Sequence, residues 1–187
     1  KFALPSIDAP EMTIESTPEK IERGKYLANN VMVCMDCHSK RDFSVFSGPP
    51  VAATFGAGGE RFGHNIGMPG EIYSSNITPA GIANYTDGEL YRAITSGVAK
   101  DGRAMFNIMP YGAYGKADKR DIEAVMCYIR SLQPVEGNVP TRELDFPVSI
   151  LINTVPVAPT HMTRPDKSDV VAYGGYMVTI AGCVECH

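Results

Sequence analysis

A chain of 187 residues, 44% apolar and 20% charged, is long enough to bury a core of its own, and this balance excludes a disordered tail protein. Lys and Arg total 17 against 21 Asp and Glu, a net charge of −4, which excludes the basic footprint of a nucleic-acid binder and suits a partner with a basic docking patch. Four of the five cysteines stand as Cys34-Met35-Asp36-Cys37 and Cys183-Val184-Glu185-Cys186, each pair followed at once by a histidine.

In chain order, residues 1–15 read as an irregular arm. Thr17 as N-cap and Pro18 at the first helical position open a helix over residues 19–29. Residues 39–80 are rich in Gly and Pro, with Gly48-Pro49-Pro50 and Gly56-Ala57-Gly58-Gly59, and read as loop with little regular structure. Thr86-Asp87-Gly88-Glu89 has capping-box spacing and opens a helix to about Val98, with Leu90, Ile94 and Val98 on one face. Asp118 caps a further helix to about Leu132, in which Ile122, Val125, Met126, Ile129 and Leu132 form a buried stripe. Gln133-Pro134 stops it. Residues 136–166 carry Pro140, Pro147, Pro156, Pro159 and Pro165 and read as a linker without a long helix. Ser168 is the expected cap of a last helix. The most apolar stretch, residues 146–159, is too short and too broken by Pro147 and Pro156 to span a bilayer, and the chain reads as soluble.

A partial repeat organises the whole. Gly24-Lys25-Tyr26-Leu27 precedes Cys34, and Gly174-Gly175-Tyr176-Met177 precedes Cys183. The expected division is an arm (residues 1–15), a first domain (16–135), a Pro-rich linker (136–166) and the start of a second domain of the same kind (167–187).

The Cys-x-x-Cys-His spacing has a direct chemical reading. Two thiols three positions apart reach two vinyl groups on one edge of a haem and form thioethers, and the adjacent histidine meets the iron. This assigns Cys34, Cys37 and His38 to one covalent haem c, and Cys183, Cys186 and His187 to a second. A zinc half-site needs two further ligands of matching spacing, which His64 and His161 do not supply. A redox dithiol needs a βαβ setting, which is absent. For the sixth position of the first iron, Met109 in Asn107-Ile108-Met109-Pro110-Tyr111 is chosen, because Pro110 restricts it to an extended conformation just before the last long helix. Met105 is its nearest rival, ahead of Met68 and His64. His161 and Met162 are weak candidates for the second iron. Cys127 reads as a small buried filler.

With these motifs in place, residues 18–135 resemble the class I cytochrome c domain of dihaem and trihaem cytochromes, including the cytochrome subunits of periplasmic alcohol, aldehyde and gluconate dehydrogenases. The resemblance rests on Arg23-Gly24-Lys25-Tyr26-Leu27, the haem motif, Asn76-Ile77-Thr78-Pro79, Gly81-Ile82, Tyr85-Thr86-Asp87-Gly88-Glu89, Gly102-Arg103 and Met109-Pro110-Tyr111. It implies a mainly α class I cytochrome c fold with long Gly/Pro-rich loops, followed by the start of a second such domain. It also implies Met109 as the distal ligand, and a first and last helix that cross, with Gly24 close to Tyr128 or Ile129. From the same layout the carbonyl of Gly48-Pro49 is expected on the second nitrogen of His38, and Tyr73, Arg61 and Arg103 are candidates for the haem propionates.

The functional expectation is an exported, periplasmic electron carrier. It would take electrons from a dehydrogenase or quinol-linked donor and pass them to an oxidase or another cytochrome. Lys1-Phe2-Ala3-Leu4-Pro5 lacks the pattern of a leader peptide, which fits a mature chain. The rivals are a dihaem enzyme of the peroxidase or thiosulfate-oxidising type, and one unit of a multi-haem wire. Because the second motif ends at His187, its domain is expected to lack its distal ligand and cover, which further chain or another subunit would supply.

Overall fold

A computed structural model describes residues 5–185 and 187. In chain order they form α1 (Pro18–Asn30), α2 (Cys34–Cys37), β1 (Arg61–Phe62), β2 (Gly70–Tyr73), α3 (Pro79–Ile82), α4 (Asp87–Ser96), α5 (Tyr111–Tyr114), α6 (Lys119–Ser131), β3 (Glu143–Leu144), α7 (Val148–Leu151) and α8 (Val170–Ile180), with single 3-10 turns between some of them.

The core is built where α1 crosses α6. Thr17 opens α1 as its chemistry dictates: extended, with its side-chain oxygen accepting from the Lys20 amide at 3.3 Å. The crossing needs a glycine. A Cβ on Gly24 would collide with the Ala124 carbonyl and lie 2.9 Å from Tyr128 Cβ, so the expected close approach is present. Around it Leu27, Met32, Met35, Ile122, Val125 and Met126 are almost wholly buried. Each such side chain is worth about 1.5–3 kcal/mol of transfer free energy. Cys127 is buried on α6, as a small filler should be.

The capping box of α4 forms in both directions: Glu89 N donates to the Thr86 hydroxyl at 3.2 Å, and Thr86 N donates to the Glu89 carboxylate at 2.9 Å. The helix ends at Ser96, short of Val98, because Gly97 takes the left-handed conformation (φ 73°) that terminates helices. Val98 instead pairs with Ala104 across a tight hairpin.

One expectation is corrected and two are filled in. Residues 39–80 hold little regular structure beyond β1 and β2, antiparallel with Arg61 opposite Tyr73 and Phe62 opposite Ile72. The Pro-rich segment 136–166 is docked on the rest of the chain. Its β3 pairs with β2, with Gly70 opposite Leu144 and Glu71 opposite Glu143, and it then returns along α5. There Thr160 N donates to Gly115 O and Met162 N to Lys116 O, both at 2.9 Å. Its prolines prevent a long helix without preventing a docked strap. Finally, α8 is capped by Asp169, whose carboxylate accepts from Ala172 N at 3.0 Å, while the Ser168 hydroxyl turns back to Asp166 at 2.7 Å.

Candidate haem-binding site

The first Cys-x-x-Cys-His run is entered through a strained residue. Val33, β-branched, has φ 46°, an outlier of the kind a surrounding structure must enforce. The next turn is α2, which carries Cys34 and Cys37 as free thiols one turn apart. His38 closes that turn, its amide donating to Cys34 O at 2.9 Å. From behind, the Tyr114 hydroxyl donates to Met32 O at 2.7 Å and braces the approach.

The imidazole of His38 is oriented by the opposite loop. Its Nδ1 lies 2.7 Å from the carbonyl of Ser75. A carbonyl only accepts, so Nδ1 carries the proton and Nε2 keeps its lone pair. The Ser75 carbonyl is held in turn by the Gly-rich segment. Gly58, at φ 70°, lies against Ser74 and Ser75 where a Cβ would not fit, and its amide donates to His38 O at 2.8 Å. The carbonyl expected from Gly48-Pro49 is used differently: Gly48 O accepts from Arg41 Nε. Burial pushes the His38 imidazole below the usual histidine range, so it is neutral near pH 7. Burial also pushes the Cys34 thiol up to about 12 and raises Cys37.

Met109 is half-buried on the turn between the Val98–Ala104 hairpin and α5, and the Tyr111 amide donates to its carbonyl at 2.7 Å. With Met105, Phe106 and Ile108 it forms a row of half-buried apolar side chains, and Met109 and Cys34 pack against the same core cluster. The rivals fare differently. His64 is exposed and engaged by two carboxylates, Glu71 at 3.1 Å and Asp145 at 2.8 Å. Met105 is half-buried like Met109. His161 has both ring nitrogens committed, Nδ1 donating to Ala117 O at 2.6 Å and Nε2 accepting from the Tyr91 hydroxyl. The proposed propionate contacts do not form a set: Arg61 grips Glu71 with two nitrogens, and Arg103 turns to its own neighbour Asp101 at 3.3 Å.

At the second run, His187 N donates to Cys183 O at 3.1 Å, the same backbone turn as at His38. Cys183 and His187 are exposed. Cys186 lies outside the described residues. Among the described residues no helix is long and apolar enough to cross a membrane, and no three His, Cys, Asp or Glu side chains converge on a metal position.

The donor set at residues 34–38 fits a covalent haem: two unpaired thiols on one turn and an imidazole fixed by its other nitrogen, with half-buried Met109 packed against the same core cluster as Cys34. Sequence reasoning singled out Cys34, Cys37, His38 and Met109 but not Ser75. Its part is played by a backbone carbonyl, which leaves no side-chain signature.

No family model matches the chain. It is similar to the cytochrome subunit of fructose dehydrogenase from Gluconobacter japonicus, with 32% identity over 89% of this chain and 34% of that protein. It is 31% identical to the cytochrome c subunit of a quinone-dependent alcohol dehydrogenase from Gluconobacter oxydans (strain 621H), over 89% of this chain and 34% of the relative. The cytochrome c subunit of gluconate 2-dehydrogenase from Pantoea cypripedii matches at 28% over 89% and 37%. The chain thus spans about a third of the length of the curated relatives it matches, and its helix-rich structure fits the cytochrome fold their names imply.

Proposed function

We propose that this chain, a relative of dehydrogenase cytochrome c subunits and so a c-type cytochrome of electron transport, is a periplasmic dihaem electron carrier. It receives electrons from a dehydrogenase or quinol-linked donor and delivers them to an oxidase or another cytochrome. The first haem is attached at Cys34 and Cys37, with His38 and Met109 on its iron. The second is attached at Cys183 and Cys186, with His187 on its iron. The first domain covers residues 16–135, and residues 167–187 begin the second.

The observation that carries this reading is the hydrogen bond from His38 Nδ1 to the Ser75 carbonyl, 2.7 Å long. It fixes the tautomer and makes Nε2 the better donor to a metal. The bound haem supplies one-electron chemistry. The protein's part is to hold it: thioethers prevent loss, Ser75 orients the imidazole, and a methionine thioether favours the ferrous state and raises the potential. The chain acts as a carrier rather than a catalytic subunit. Asp121 on α6 accepts from Arg23 of α1 and from Tyr176 of α8, so the helix leading to the second run is packed on the first domain, which supports two haems on one body.

The test is haem counting. Denatured protein should keep two haems per chain by intact mass. Cys34→Ser with Cys37→Ser should remove one, and Cys183→Ser with Cys186→Ser the other. Haem released by acid–acetone, or a single haem in the unaltered chain, would overturn the reading. Met109→Ala should abolish the near-infrared sulfur-to-iron band. If Met105→Ala does so instead, the distal ligand is Met105.

A further inference from the structure

Two polar groups beside the Met109 loop have no protein partner that matches their chemistry. Tyr111 is only 3% exposed, yet its hydroxyl is buried with no hydrogen-bond partner among the described residues. Orphaned buried hydroxyls are uncommon in native structures. Arg142, half-buried on the strap, donates from Nη1 to the Ala104 carbonyl at 2.6 Å, and no carboxylate pairs with it among the described residues. Arg61 and Arg103 both have such a carboxylate, in Glu71 and Asp101.

The two groups meet at one place. The hairpin neck is closed by the Val98–Ala104 bridge and by Met105 N donating to Gly97 O at 2.7 Å. The ring of Tyr111 lies on Gly97, where any Cβ would collide with it. Arg142 reaches the same neck from the residue before β3, through its bond to the Ala104 carbonyl. Through β3 and β2, Arg142 is also tied to the segment whose Ser75 carbonyl orients His38. It therefore stands where the proximal loop meets the hairpin that leads into Met109.

A buried phenol whose hydroxyl has no partner and a half-buried guanidinium that, among the described residues, pairs directly with no carboxylate, Asp101 near it being taken by Arg103, together make a site for a carboxylate. We propose that Arg142 and Tyr111 form a carboxylate-binding pair whose ligand is a propionate of the haem held at Cys34 and Cys37. The inference rests on the haem reading above, and the test separates the two.

Holoprotein carrying Arg142→Gln or Tyr111→Phe is compared with the unaltered chain by redox titration, with each haem followed through its methyl NMR signals. Loss of the cation leaves the propionate charge uncompensated and favours ferric iron. Arg142→Gln should shift the one-electron equilibrium of the first haem roughly tenfold toward the oxidised state, about 59 mV, and Tyr111→Phe by less in the same direction. Tyr111→Phe also reports through thermal stability. With no ligand, removing an orphaned hydroxyl leaves Tm unchanged or higher, whereas with a propionate bonded to it Tm falls. Unchanged potentials with unchanged or raised Tm, haem still attached, overturn the pair. A potential that responds to added acetate only when Arg142 is present overturns the propionate assignment and leaves a free carboxylate as ligand. If mass spectrometry finds no haem on residues 34–38, it is the haem reading that fails.

Discussion

Helices α1 and α8 share the same local sequence, a Gly-x-Tyr step leading into Cys-x-x-Cys-His, and they use it in opposite ways. In α1 the glycine is the buried element: Gly24 sits against the Ala124 carbonyl while Tyr26 is 45% exposed. In α8 the tyrosine is the buried element. Tyr176 is 3% exposed, its hydroxyl donating to Asp121 at 2.7 Å and accepting from Asp118 N at 3.1 Å, while Gly174 and Gly175 have open space where a Cβ would go. The repeat therefore specifies a helix with two usable faces. Which face is buried depends on what surrounds it. The outer face of α8 is apolar, with Val170 76% and Val171 86% exposed, and α1 has no such face.

The largest effect should come from removing what holds α8 down. Asp121, fully buried, accepts two bonds from Arg23, at 3.1 and 2.9 Å, and one each from Arg164 and Tyr176. Asp121→Ala leaves two guanidinium groups without their counter-charge, and breaking such a pair costs about 3 kcal/mol or more. For a chain of this size that is roughly 10 °C in Tm, and tryptic cleavage after Lys167 should accelerate. If Tm falls but this site stays protected, Asp121 supports the α1–α6 core and not α8. Acid should act on the same junction. The bonds from Arg120 and the Arg164 amide hold the Asp118 carboxyl well below the usual carboxylate range. Its contribution is thus in place above about pH 4 and is lost as the pH falls toward its lowered folded value.

This junction also marks the limit of what the sequence discloses. The long helices, the caps Thr17 and Thr86 and the Cys-x-x-Cys-His runs were legible because each rests on local chemistry: Thr17 and Thr86 cap within three residues, and Cys34, Cys37 and His38 stand within five. The strap was not, because its docking depends on backbone groups 40 or more positions away, such as Met162 N on Lys116 O. The short strands β1 to β3 were hidden for a similar reason. Runs of two to four residues, with Gly63 and Gly67 between β1 and β2 and Gly70 opening β2, carry no alternation to read. Ser75 works through its backbone carbonyl and the part proposed for Arg142 rests on its position, neither of which residue type announces.

A second, smaller break of the comparison is Gly24→Ala. The added methyl meets the Ala124 carbonyl, part of the α6 backbone that cannot rotate away, so α1 must lift from α6. Overpacking of this kind costs about 1–3 kcal/mol. Thermal denaturation should show a clear loss, with Val125 and Met126 more open to hydrogen exchange. An unchanged Tm would mean that the α1–α6 crossing opens enough to admit the methyl.

The matching change on the other copy, Gly174→Ala, should be the smallest effect and of opposite sign. Gly174 lies inside α8, and a Cβ there meets nothing within 4 Å. Two terms then act, and neither opposes the substitution. Alanine is the better helix former, because glycine in a helix interior forgoes up to about 1 kcal/mol. The unfolded chain also loses conformational freedom, worth roughly 0.4–1 kcal/mol to the folded state and overlapping with the first term. Because α8 is joined to the rest of the protein through Tyr176 and Ile180 on its other face, the gain should reach global stability only as far as α8 unfolds with the core. The expected result is a Tm raised by a few degrees at most, with slower exchange of the amides of residues 174–180. A lowered Tm would show that the glycine face of α8 is covered in solution, as that of α1 is, and the contrast between the two helices would then be one of partner rather than of exposure.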